Sequence, residues 1–176
     1  MASSLSEIQI TKGDITHQSV DVIVNAANSA LAGGGGVDGA IHRAAGPALM
    51  AACRKWGECP TGQARLTPGF ELPAKWVIHA VGPIWHGCAQ NEDQLLASCY
   101  RQALQIAAEK NFSSIAFSAI SCGVYGYPLR AAARIAIGQA LSFRETNSAP
   151  ELIRFVLFND ELKSIFQDVF QELATA

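Results

Sequence analysis

Charge is scarce in this sequence. Asp, Glu, Lys and Arg make up 16% of the 176 residues, and 13 basic against 15 acidic side chains leave a formal net charge of −2. That balance builds no positive field, which disfavours general binding to the phosphates of nucleic acid. Long apolar runs are missing too. Stretches such as Asp21-Val-Ile-Val-Asn25 fall far short of the ~20 residues that span a bilayer. The opening MASSLSEIQI has neither a basic head nor a long apolar segment, so nothing there reads as an export signal. The five cysteines (Cys53, Cys59, Cys88, Cys99, Cys122) are odd in number and none is spaced as CxxC, so reduced thiols in a cytoplasm are expected. Cys53, Cys59, His86 and Cys88 fit no zinc-finger spacing, and no GxSxG nucleophile elbow is present.

What is present is apolar content. Hydrophobic residues reach 49%, which excludes a disordered chain and suffices for one domain over 1–176. Short β-rich runs alternate with longer Ala-rich stretches. Strands are expected at Glu7–Thr11, Val20–Val24, Ala64–Thr67, Trp76–Val81, Ser114–Ile120 and Leu152–Phe158. Helices are expected at Val37–Lys55, Glu92–Lys110, Pro128–Arg144 and Asp160–Leu173. The alternation predicts an α/β sandwich with helices on both faces of a sheet. The Pro/Gly-rich turn between Ala64–Thr67 and Trp76–Val81 predicts one antiparallel pair, hence a mixed sheet.

In such a sheet, ligands sit at the carboxyl ends of the strands. Two loops there are chemically unusual. The first runs from Asn25 through Asn28 to Gly33, Gly34, Gly35, Gly36, Val37 and Asp38, between a strand and a helix. Glycines in succession expose bare backbone N–H groups, and a helix N-terminus adds partial positive charge, a combination that suits phosphate. As a mere turn the run would cost roughly 0.5–1 kcal/mol per glycine. The second loop, Ser121-Cys122-Gly123-Val124-Tyr125-Gly126-Tyr127-Pro128, repeats that grammar. Two such mouths suggest a ligand with adjacent phosphates. Gly34-Gly-Gly36-Val-Asp-Gly39 also satisfies GxGxxG, but the expected strand end at Val24 leaves Asn25–Ala32 before the glycines. A dinucleotide fingerprint needs its glycines in the tight turn itself, so that reading fails.

Several polar residues carry two readings. Asp38 either caps the helix or faces the ligand to orient a water or a sugar hydroxyl. Asn25 is expected to satisfy backbone groups at its turn, and Asn28 to reach ribose hydroxyls. Asp14 reads as a turn aspartate. Phe158 reads as a core aromatic or as a flat face for a base. Cys122 in a helix-mouth loop is expected to have a lowered pKa, though without an adjacent histidine to make a dyad. His42 and His79 read as satisfied core histidines.

Seven segments, in order, then resemble the macrodomain family. They are Gly13-Asp-Ile-Thr16, Val22-Ile-Val-Asn-Ala-Ala-Asn28, Gly33–Ala45, Cys59-Pro-Thr-Gly62, Leu72-Pro-Ala-Lys75, Val77-Ile-His-Ala-Val-Gly-Pro83 and Ile120-Ser-Cys-Gly-Val-Tyr-Gly126. The similarity runs from about Ile8 to Phe170 and is closest to the MacroD-type bacterial O-acetyl-ADP-ribose deacetylases. It implies a three-layer α/β/α domain that binds ADP-ribose. Asp14 would take the adenine amino group, with Ile15 beside it and Phe158 against the ring. Gly33–Gly36 and Ser121–Gly126 would hold the diphosphate, Asn28 and Asp38 would meet the distal ribose, and Tyr125 would shape that end. The implied reaction is hydrolysis of an ester on that ribose, either O-acetyl-ADP-ribose or mono-ADP-ribose on a protein carboxylate. No metal, cofactor or covalent intermediate is implied. The resemblance also adds ribonuclease III as a partner to consider. Cys122, Ser118 and Phe158 depart from Thr, Pro and Tyr, which are common there in relatives. An ADP-ribose reader without turnover is the alternative, and Asn28 together with Asp38 favours the enzyme.

Overall fold

The computed structural model describes residues 7–176. Strand β1 (Glu7–Lys12) leads through a single 3-10 turn (Ile15–His17) into β2 (Val22–Ala27). Helices α1 (Gly36–Ala45) and α2 (Pro47–Trp56) follow, then the hairpin of β3 (Ala64–Pro68) and β4 (Trp76–Val81). The remainder alternates: α3 (Glu92–Glu109), β5 (Ser114–Phe117), α4 (Leu129–Thr146), β6 (Leu152–Leu157) and α5 (Asp160–Ala174). The sheet order is β1-β6-β5-β2-β4-β3. Every neighbouring pair is parallel except β3 with β4, the antiparallel edge expected from the turn between them.

The expected elements hold, with shifted ends. One expected helix, Val37–Lys55, is two. Gly46 ends α1 at φ +88°, and Pro47 opens α2, a position where a missing N–H costs nothing. The sheet part of β5 stops at Phe117 rather than Ile120, and β6 stops at Leu157, leaving Phe158 outside the sheet. Pro128 caps α4 instead of beginning it. Strand β2 runs on to Ala27, so only Asn28–Ala32 separates it from the glycines. That is still a loop and not a tight turn.

Period-two alternation sorts the strands onto two faces. Val22, Val24, Ile78, Ala80, Ile115, Phe117, Ile153 and Phe155 join the core beneath α3, α4 and α5. Ile23, Ala27, Val77, Val81, Ala116 and Val156 join the core beneath α1 and α2. The result is a three-layer α/β/α sandwich. Because β1, β2, β4, β5 and β6 point the same way, the loops that follow them gather along one edge. Among the described residues no helix is long and apolar enough to cross a membrane.

Candidate functional site

The first loop is built before any ligand arrives. Asn28 Nδ2 donates to the Gly33 carbonyl at 2.8 Å, and the Ala32 N–H donates back to Asn28 Oδ1 at 3.1 Å. Leu31, at φ +52°, drops a buried side chain into the core and donates its N–H to the Asn28 carbonyl at 3.0 Å. Gly33 (φ +74°) and Gly36 (φ +57°) hold the left-handed conformation that a side chain would strain. The loop then enters α1, whose first amides, on Gly36, Val37 and Asp38, have no carbonyl partner within the helix. These donors and the glycine backbone form one wall, with the chemistry that suits an anion.

Asp38 sits in the first turn of α1 and is 7% exposed. It does not cap the helix: the N-cap position is Gly35, which has no side chain to make a cap hydrogen bond, and Asp38 lies inside the first turn. Its Oδ1 instead accepts a 2.8 Å hydrogen bond from Asn25 Nδ2 and lies 3.4 Å from His42 Nε2. A Cβ placed on Gly34 would lie 3.6 Å from Asp38 Oδ2 and 3.8 Å from Asn28 Nδ2. Asn28 and Asp38, named from the sequence, thus converge over Gly34.

Asn25 overturns its sequence reading. It lies within β2, fully buried, and serves no turn: it holds Asp38 and touches His79 Nδ1 at 3.1 Å. His79 Nε2 in turn meets Thr67 Oγ1 at 2.9 Å and Cys53 Sγ at 3.7 Å. Burial, with the neighbouring His42 adding to it, pushes the His79 pKa down to about 3. His79 is the satisfied core histidine expected, but the group it satisfies is next to the site. His42 is not merely core, because it lies one helical turn from Asp38. The missed signals were present in the sequence. An Asn inside an apolar run needs a buried partner, and Asp38/His42 is an i,i+4 pair on a helix.

The second loop forms the facing wall. Ser121, at φ +65°, donates Oγ–H to the Pro83 carbonyl at 2.8 Å, and its own carbonyl accepts from Tyr127 N–H at 3.0 Å. Trp85 N–H donates to the Tyr125 carbonyl at 2.8 Å, tying the loop to the exit of β4. Among the described residues the Val124 and Tyr125 amides have no partner in the protein, and Val124 is 99% exposed. The loop therefore offers backbone donors, as glycine-containing anion loops do. Cys122 is a correction. Burial pushes its thiol up to about 12, so no helix-mouth field activates it.

At the far end of the edge, Asp14 caps the 3-10 turn, accepting from Thr16 N–H at 2.8 Å and Thr16 Oγ1–H at 2.6 Å through Oδ1. These hydrogen bonds hold its carboxyl below the usual range and leave Oδ2 outward, 3.8 Å from His17 Nε2. Asp14 is thus the turn aspartate expected, with one oxygen to spare. Ile15 is buried beneath it, and Phe158 is 61% exposed at the exit of β6. A solvent-facing ring there is a flat surface and not core. Among the described residues no group of three or more His, Cys, Asp or Glu side chains is arranged to hold a metal ion.

The chain as a whole is similar to known proteins. A family model described as Macro domain matches residues 24–136, from β2 into α4. A macro domain-containing protein of Methanosarcina mazei is 52% identical over 166 residues, covering 94% of this chain and 89% of that protein. An O-acetyl-ADP-ribose deacetylase of Escherichia coli K12 is also 52% identical over 166 residues, covering 92% of this chain and 94% of its own. A variant of the Oceanobacillus iheyensis macrodomain, solved with ADPR, aligns with a TM-score of 0.94 at 44% identity over 98% of this chain and 96% of that one. Near-complete coverage at such identity, on the same fold, leaves one conclusion: the chain belongs to the macro domain family.

Proposed function

We propose that the protein is a hydrolase that binds ADP-ribose and removes the acetyl ester from O-acetyl-ADP-ribose. The similarity to the Escherichia coli deacetylase and to the Oceanobacillus macrodomain with ADPR supports this reading. The observation that carries it is the convergence of Asp38 Oδ2 and Asn28 over Gly34, between two loops of free backbone donors.

In this reading the Gly33–Gly36 and Ser121–Gly126 loops hold the diphosphate. Asp14 Oδ2 accepts from the adenine amino group beside Ile15, and the Phe158 ring covers the base. Val37 and Tyr125 bound the distal ribose. Asn28 keeps one Nδ2 hydrogen beyond its bond to Gly33, enough to reach a ribose hydroxyl. Asp38, with Oδ1 held by Asn25, uses Oδ2 to orient a water against the acyl carbon. Water adds to that carbon, the ester C–O bond breaks, the ribose oxygen takes a proton, and acetate and ADP-ribose leave. Mono-ADP-ribose on a protein carboxylate presents the same ester and belongs to the same proposal. Unpaired cysteines suit a reducing compartment such as the cytoplasm. The ribonuclease III connection has no counterpart in this geometry and stays outside the proposal.

The test is Asp38→Asn, which keeps an acceptor for Asn25 and removes the charge. Turnover of O-acetyl-ADP-ribose, followed by mass spectrometry, is expected to fall by on the order of 10²–10⁴. The calorimetric Kd for ADP-ribose should change little, because adenine and diphosphate contacts remain. Wild-type protein that binds ADP-ribose but leaves the ester intact would make the domain a reader.

A further inference from the structure

Asp38 is held by a chain of groups that runs along the α1/α2 face of the sheet to β3. Asn25 meets both Asp38 Oδ1 and His79 Nδ1 through one atom, at 2.8 and 3.1 Å. That atom has to be the amide nitrogen, because the amide oxygen would set an acceptor against the Asp38 carboxylate. Both amide hydrogens are then used, one on each partner, and Asn25 Oδ1 is left buried without a partner. The Asp38 carboxylate and the His79 Nδ1 lone pair both call for the amide nitrogen at this place, and the unpartnered oxygen is the cost of that orientation. His79 Nδ1 can receive a hydrogen only through its lone pair, which places the ring proton on Nε2. Nε2 faces the Thr67 hydroxyl at 2.9 Å, an oxygen able to accept it. His79 is 1% exposed, and burial keeps the ring neutral, so a second ring proton does not interfere.

We propose that His79 is a positioning residue for the hydrolysis: its Nδ1 lone pair fixes the Asn25 amide so that a donor faces Asp38, and the Thr67 hydroxyl accepts the Nε2 proton that this tautomer carries. The inference rests on the assignment of Asp38 to turnover. Its consequence is that Asp38 Oδ1 stays occupied and Oδ2 alone serves the water.

Two substitutions separate the halves of the ring. His79→Asn keeps an acceptor near the place of Nδ1, whereas His79→Gln keeps a donor near the place of Nε2. His79→Gln should lower kcat by on the order of 10²-fold, the effect of a slightly misplaced group. Its Kd for ADP-ribose should stay within about twofold of wild type. His79→Asn should retain kcat within about tenfold of wild type, although it loses more ring volume and melts no higher than His79→Gln. Equal losses of kcat, losses that follow Tm, or a Kd that weakens in step with kcat would each overturn the proposal. Long-range proton–nitrogen correlation spectra read the tautomer in the unaltered protein, so the proposal is tested even where a variant does not fold. An Nε2–H ring is expected, and an Nδ1–H or doubly protonated ring overturns it. Asp38→Asn is assayed alongside. Full turnover there removes the Asp38 assignment and this inference together; slow turnover there with an active His79→Gln removes this inference alone.

Discussion

The two faces of the sheet are made from the same strands and do different work. Toward α3, α4 and α5, β5 and β6 present Phe117 and Phe155, stacked at 5.4 Å, with Tyr100 and Phe166 completing the cluster. Its one polar reach toward the site is the Tyr100 hydroxyl, which accepts the Ile120 N–H at 3.2 Å behind the second loop. Toward α1 and α2, β2, β3 and β4 present Asn25, Thr67 and His79, a buried polar chain that ends on Asp38. Shifting any strand's register by one residue would exchange these sets. The contrast teaches that stability and chemistry are assigned by the parity of residue number along a strand. A polar residue on the apolar face would be an orphan; on the other face it has partners.

The largest expected effect that could break this division is Phe117→Ala. It should cost about 3–5 kcal/mol in denaturant unfolding, as large aromatic truncations do. Turnover per folded molecule should stay near wild type. A loss of turnover in the folded fraction would show that the aromatic face also sets the site. Next comes Gly39→Ala in α1. A Cβ there would collide with the Gly34 carbonyl oxygen, so the glycine loop must move. Overpacking of this kind costs about 1–3 kcal/mol, and here much of it should appear as weaker ADP-ribose binding by calorimetry. An unchanged Kd would mean that α1 and the loop are not so tightly joined.

The smallest effect at any one step is a pH slope, read per pH unit. The folded His79 pKa is depressed from 6.5 to about 3, so between these values the unfolded chain holds one proton more. Stability supplied by the neutral ring is fully present above pH 6.5 and is lost as the pH falls toward 3. The slope from this group is at most about 1.4 kcal/mol per pH unit. Unfolding measurements at several pH values, compared with His79→Asn, should show that increment missing in the variant. An identical slope would mean that the ring is already protonated in the fold.

Much of this was legible in the sequence, because strand cores and glycine loops announce themselves locally. Trp76–Val81 and the antiparallel turn before it needed only alternation and turn chemistry. The end of β2 did not follow from local pattern. Asn25 looks like a strand terminator until Asp38 and His79, 13 and 54 residues away, supply its partners. The break at Gly46-Pro47 was visible, yet Ala-rich continuity on both sides outweighed it. Cys122 failed for another reason. A helix-mouth position argues for a lowered pKa, but burial opposes it, and burial cannot be read from loop composition. Of the candidate site, the sequence indicated the two loops and the polar residues Asn28 and Asp38 that converge over Gly34. The groups that hold those parts in place come from distant strands, and only the fold brings them together.

The Asn28 clasp on its own loop has a kinetic consequence. With Gly33, Ala32 and Leu31 all tied to one residue, the loop has its shape before an encounter. An incoming anion meets donors already aimed at it and has little backbone to order, so association is limited by diffusion and orientation and not by a folding step. Loosening the clasp, as Asn28→Ala would, should therefore show first in the on-rate.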